Sequence, residues 1–209
     1  MLSIRKLTAA VTAAAALTVT AGTAVEASGS ETTLADVLLA DSGSDNRNGF
    51  DWRYWDYDIV TEAVLLFPDL AGAASDPDAE LTAFLPNDLA FRRLVYELTG
   101  RWYWSEQRVF EQVAALGLDT VENVLRYHIV PAKISYRDAL RADGAVLGTL
   151  LPDADITVDV RGSFFKRVVL QDLDTDDRDA RVIRPNVGGE AANGFAHGIN
   201  RVLRPVDLP

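Results

Sequence analysis

Apolar positions along the chain follow two different rhythms. Up to about residue 129 they recur mostly at helical spacing, and from Val146 onward they tend to alternate. Thr33-Leu34-Ala35-Asp36 opens a short helix with Leu34, Val37 and Leu38 on one side. Ile59, Val60, Ala63, Val64 and Phe67 repeat at helical spacing, with Asp56 or Asp58 as the cap. Leu81 to Leu85 reads as a strand, and Pro86 stops it. Asn87 then caps a helix that turns Phe91, Leu94, Val95 and Leu98 to one face and ends at Gly100. Ser105 caps the next helix, with Val109, Phe110, Val113 and Leu116 inward and Gly117 closing it. Asp119-Thr120-Val121-Glu122 reads as a capping box for a helix that reaches Tyr127-His128. Ile129-Val130 turns extended, and Pro131 prevents further helix.

The second half reads as strands separated by acidic turns. Ile156, Val158 and Val160 alternate, Phe165 to Leu170 and Arg181 to Arg184 are short β-like runs, and Ala196 to Leu203 closes the chain. Polar stretches at residues 41–49 and 73–80 read as linker and loop. Helices grouped early and strands grouped late predict an α+β fold rather than a parallel α/β one.

The first 27 residues stand apart. Arg5 and Lys6 precede an Ala- and Thr-rich apolar run, and small residues follow at Ala24 and Ala27. That order predicts a secretory signal cleaved after Ala24 or Ala27. The run is too short to span a membrane, which takes roughly 20 apolar residues. Cleavage would make the remainder one charge more acidic than the formal −11 of the whole sequence. An acidic surface disfavours nucleic acid and anionic lipid as partners. The sequence has no Cys, so a secreted form must rest on its apolar core without disulfides. Residues 28–56 read as an N-terminal arm and residues 57–209 as one domain.

Three phrases, in this order, resemble a known family. Phe84-Leu85-Pro86-Asn87-Asp88-Leu89-Ala90-Phe91 comes first, Tyr127-His128 follows, and Gly198-Ile199-Asn200-Arg201-Val202-Leu203-Arg204-Pro205 closes the chain. They resemble the "F-x-P-x-x-x-A-F", Tyr-His and "G-I-x-x-V-L-x-P" segments of fasciclin-like domains. The resemblance implies a β-sandwich wedge with helices packed at one side. It also implies an extracellular adhesion or binding module rather than an enzyme, with Tyr127 and His128 in the segment tied to receptor binding in some members. Leu85-Pro86-Asn87 departs from the "A-P-T-N" or "A-P-S-D" common there, and the aromatic insertion Arg101–Ser105 departs further.

Each candidate site has a functional and a structural reading. Tyr127 and His128 either face a partner or lock a helix-to-strand junction through hydrogen bonds. All four tryptophans lie in two stretches, Phe50–Tyr57 and Trp102–Trp104. Trp52, Trp55, Trp102 and Trp104 either form an exposed patch for a glycan or protein, or pack on each other and fasten the arm. Asp172, Asp174 and Asp176 alternate as in an EF-hand, but Asp177 and Ile183 stand where that loop needs Gly and Glu. The acidic turn is therefore at most a candidate for weak calcium binding. With two His, no Cys and no nucleophile motif, neither a zinc site nor a hydrolase is expected. No cofactor is implied. The expected function is a secreted or envelope-associated module that binds an extracellular protein or cell-envelope glycan without chemistry and without membrane insertion. The alternative is a carrier or sensor of a small apolar ligand held between helices and sheet.

Overall fold

Seven helices surround one side of an eight-stranded sheet in the computed structural model, which describes residues 32–42 and 49–208. The secretory signal read at residues 1–27 lies outside the described residues, as does most of the 41–49 linker. Helix α1 spans Leu34–Asp41, α2 Asp58–Leu65 and α3 Pro68–Ser75. Strand β1, Leu81–Pro86, leads into α4, Asp88–Thr99, followed by α5, Glu106–Ala114, and α6, Leu118–Tyr127. After β2, Ile129–Val130, and the single turn α7, Tyr136–Ala139, the remaining elements are strands. These are β3 Val146–Gly148, β4 Asp155–Arg161, β5 Arg167–Gln171, β6 Ala180–Arg184, β7 Glu190–Ala191 and β8 Gly194–Ile199.

Several helix starts follow the sequence. Thr33 and Asp36 form a capping box on α1. The Asn87 side chain accepts from the Ala90 N–H, and Ser105 accepts from Arg108. Two starts differ. Neither Asp56 nor Asp58 caps α2; the Asp88 carboxylate accepts the Ile59 N–H instead, at 3.0 Å. The capping box read at Asp119–Glu122 is absent, because α6 already begins at Leu118 behind Gly117, with no side-chain cap. Helix α3 runs on into the first three residues of the stretch that reads as loop, Ala73 to Ser75: Pro68 sets its first turn, and small residues give it little apolar signal. The strand expected to start at Phe165 starts at Arg167, leaving Phe164 and Phe165 on the preceding turn.

The strands run in the order β2-β1-β8-β6-β5-β4-β3, with β7 added against β8. Only β1 and β8 pair in parallel, from Leu81 opposite Gly194 to Pro86 opposite Ile199. The chain register shifts between Val182 and Arg184 where β6 meets β8. Phe84, Val130, Ile156, Val158, Val168, Leu170, Val182 and Ile199 fill one core between the strands, joined by Tyr127 from the end of α6. A larger core lies under the helices and takes in Leu34, Val37 and Leu38 of α1. This is the α+β architecture expected, a strand sandwich with helices along one side. Gly198 of the closing phrase has a packing reason: a Cβ there would come within 1.9 Å of the Tyr57 hydroxyl.

Candidate functional site

Helix α4 places Arg92 at the centre of the molecule's least ordinary polar cluster. Its neighbours Phe91, Leu94 and Val95 pack inward, and Arg92 is drawn in with them, almost fully buried. Its Nη2 donates to Glu106 Oε1 at 2.9 Å. Its Nη1 donates to the carbonyls of Tyr103 and Trp104, at 3.2 and 2.5 Å. The guanidinium also lies 4.2 Å from the centroid of the Tyr54 ring, a cation–π distance. One guanidinium therefore clamps both aromatic stretches. Backbone bonds reinforce it: Leu89 N–H donates to Tyr54 O, Asp88 N–H to Asp56 O, and Asp51 N–H to Glu106 Oε2.

The four indoles face outward from this clamp. Trp52 is 75% exposed, Trp55 65%, Trp104 65% and Trp102 38%. Trp102 meets Trp104 edge to face at 6.2 Å and Tyr96 at 6.1 Å. Fastening of the arm falls to Phe50 against Phe110, 5.4 Å apart, to Tyr54 and to the backbone, not to indole burial. A cleft of about 120 Å³ is lined by Phe50, Asp51 and Trp52 from the arm and by Ser105, Glu106 and Gln107 from the start of α5.

Beneath the indoles lies an excess of carboxylates. Asp51, Asp58 and Glu106 bring oxygens within 4.8 Å of one another, and so do Asp56, Asp58 and Asp88. Burial and neighbouring carboxylates push Asp58 up to about 7. Burial outweighs the Arg92 pairing at Glu106, also raised to about 7. Asp56 and Asp88 are both raised, by burial first and by the charge of neighbouring carboxylates as well. The cluster is thus a set of carboxylates held near neutrality beside the Arg92 guanidinium. Such a group has the oxygen donors a hard cation prefers.

Tyr127 and His128 lie elsewhere and are buried. The Tyr127 hydroxyl donates to Asp155 O at 2.8 Å, tying the end of α6 to β4. His128 Nε2 accepts the Leu203 N–H at 2.9 Å, so its Nδ1–H donates to Val124 O at 2.6 Å. Burial pulls His128 down to about 4 and keeps it neutral. Both rings are buried. His197 is the mirror case: Nδ1 accepts from Asn186 N–H and Nε2–H donates to Ile134 O. Both imidazoles are occupied as backbone bridges.

The acidic turn wraps Arg204. Arg204 pairs with Asp174 at 3.2 Å and with Asp177, and its N–H donates to Asp172 at 2.9 Å. Asp174, Asp176 and Asp207 bring oxygens within 4.8 Å of one another, but the charge of Asp174 is already answered. What the sequence reading missed was Arg92, Asp88 and Glu106. No local signal marks them, because Arg92 pairs with Glu106 on another helix and Asp88 caps α2 from a distance.

Comparison with known proteins was made on this framework. The sequence matches no curated protein. Among solved structures the chain is similar to a FAS1 domain pair from the insect cell adhesion molecule fasciclin I, at 16% identity and a TM-score of 0.48. That match covers 70% of this chain and 43% of the other, so the chain spans less than half of that structure's length. The model of the family described as the fasciclin domain matches residues 59–205. That span holds every described strand and the closing phrase and covers well over half of the sequence, so the chain belongs to the fasciclin domain family.

Proposed function

We propose that this protein is a non-enzymatic interaction module of the cell exterior or envelope, binding its partner through Trp52, Trp55, Trp102 and Trp104. The observation that carries the reading is the exposure of all four indoles above a buried Arg92–Glu106 clamp. Exposed aromatics on a rigid base bind with little ordering cost. The cleft beside Trp52 combines a stacking face with carboxylates, a hydroxyl and an amide, a set that suits the rings and hydroxyls of a glycan. A cell-envelope glycan is therefore the preferred partner, with an extracellular protein second. Tyr127 and His128 serve as framework in this reading. Calcium at the acidic turn has less support, since Arg204 already occupies Asp174 and Asp177.

The interior gives the carrier reading little room. The apolar cavities between helices and sheet, lined by Phe91 and Leu94 or by Leu70 and Phe84, hold about 20 and 30 Å³. Each is the space of a water molecule or two, not of a lipid or pigment.

All four tryptophans report on one surface, so their emission is a direct assay. Titration with purified envelope polysaccharide is expected to shift the emission saturably. Trp55→Ala/Trp104→Ala is expected to weaken binding at least about tenfold, as for loss of stacking anchors. Equal binding by the folded double variant would overturn the reading.

A further inference from the structure

The hairpin between β4 and β5 presents two phenylalanines to solvent in a way nothing above explains. Its strands end with Arg161 opposite Arg167, and residues 162–166 form the turn. Phe164 is 94% and Phe165 92% exposed, the most exposed large apolar side chains among the described residues. Lys166 follows them directly. Adjacent apolar tips at that exposure are costly in water unless something covers them.

The surface behind the tip is basic, on a chain that is otherwise strongly acidic. A groove of about 550 Å³ starts at the hairpin base and is lined by Arg161, Arg167, Arg178, Arg181, Arg93 and Arg201. Arg161 is paired with Asp159 and Asp179, and Arg201 with Glu97. Asp177, also on the groove, is paired with Arg204. The side chains of Lys166, Arg167, Arg178 and Arg181 have no partner among the described residues. Arg93 donates only to the Asn200 carbonyl, and burial and the nearby Arg201 pull its affinity for the proton down. The groove therefore holds a real excess of positive charge.

We infer that this face docks on an anionic phospholipid surface, with Phe164 and Phe165 wedged at the headgroup level and the arginine groove receiving lipid phosphates. Two features select a bilayer over a soluble anion. A free phosphate or other small soluble anion would use the arginines and leave both rings in water. A bilayer surface uses both, since aromatic rings favour the interface and basic side chains are drawn to anionic headgroups. The acidic remainder of the molecule is repelled by the same surface, which fixes which face approaches. Docking of this kind is peripheral, and no described helix is long and apolar enough to cross a membrane. The face shares no residue with the indole surface, so the two assignments stand or fall separately.

The test is co-sedimentation of the protein with vesicles of phosphatidylglycerol and phosphatidylcholine in equal parts, against phosphatidylcholine alone. Partitioning at about 0.1 M salt is expected to be at least about tenfold stronger on the anionic vesicles, and to fall as salt screens the surface. Phe164→Ser/Phe165→Ser is expected to reduce it about tenfold or more, and Arg167→Gln/Arg178→Gln/Arg181→Gln to abolish the preference for anionic lipid. Every substituted side chain is exposed and without a partner, so unchanged melting temperatures confirm folded variants. Absence of wild-type binding to the anionic vesicles overturns the assignment. So does full binding by the phenylalanine variant, or equal affinity for a soluble uronic-acid oligosaccharide; either returns the groove to a soluble anion.

Discussion

Arg92 and Glu106 meet at 2.9 Å with both side chains sealed from solvent, and the path from one aromatic stretch to the other runs through that contact. Removing one partner of a buried pair strands the other. Arg92→Ala is expected to cost about 3–5 kcal/mol, since it leaves Glu106 and the carbonyls of Tyr103 and Trp104 without their donor. Glu106→Gln keeps acceptors for Arg92 and for the Asp51 N–H, and is expected to cost about 1–2 kcal/mol. Urea unfolding followed by tryptophan emission measures both; equal losses would mean that charge plays no part.

The carboxylates beneath the clamp make stability depend on pH in a defined direction. Burial raises the folded-state values of Asp58 and Glu106 to about 7, above their ordinary ones, so the folded chain binds more protons than the unfolded chain. Their contribution is complete below the unfolded values, near 4, and is lost as pH rises through about 7. In Asp88→Asn the amide oxygen still accepts the Ile59 N–H, and the amide has no proton to lose as pH rises. Its melting temperature is expected to exceed that of the wild type by several degrees at about pH 8, and to match it near pH 4. A constant offset across that range would show that the protonation of Asp88 is not the cause.

His128 works in the opposite sense. Its folded value is pulled down to about 4 by burial, so its contribution is present above the unfolded value of 6.5 and is lost as pH falls through 4. His128→Phe leaves the Leu203 N–H without its acceptor and the Val124 carbonyl without the ring donor, and is expected to cost about 2–4 kcal/mol at neutral pH. The gap from wild type should narrow by about 3 kcal/mol between pH 7 and 4, because the variant has no imidazole to protonate. Paired denaturation curves at the two pH values decide it.

Tyr127 separates hydrogen bond from bulk. Tyr127→Phe removes only the bond to Asp155 O and is expected to cost about 1 kcal/mol. Tyr127→Ala opens a cavity between α6 and the strands and is expected to cost about 3–5 kcal/mol. In chemical denaturation a near-neutral Tyr127→Ala would refute its place in the core.

Much of the framework was legible because local chemistry and tertiary structure agree. Asn87 and Ser105 cap helices in the sequence and in the fold, and Ile156, Val158 and Val160 alternate along a real strand. What was not legible depends on groups distant in sequence. Asp88 caps α2 from another helix, 29 residues ahead, which no local reading of Asp56 or Asp58 supplies. Arg92 sits in an apolar stripe, where pattern alone assigns it to a solvated edge. Indole exposure was undecidable from composition, because the same eight residues serve a buried hinge or an open patch. Phe165 reads as strand because its residue type favours strands, yet the turn at the hairpin end holds it outside.

The parallel pairing of β1 with β8 fixes when this domain can fold. Residues 81–86 meet their partners at 194–199, more than a hundred positions later. Loop closure of that length is costly before any contact rewards it, and such topologies fold slowly. During synthesis the helical half has its sheet edge open until the closing phrase arrives, so the domain completes itself only after nearly all of its chain has been made.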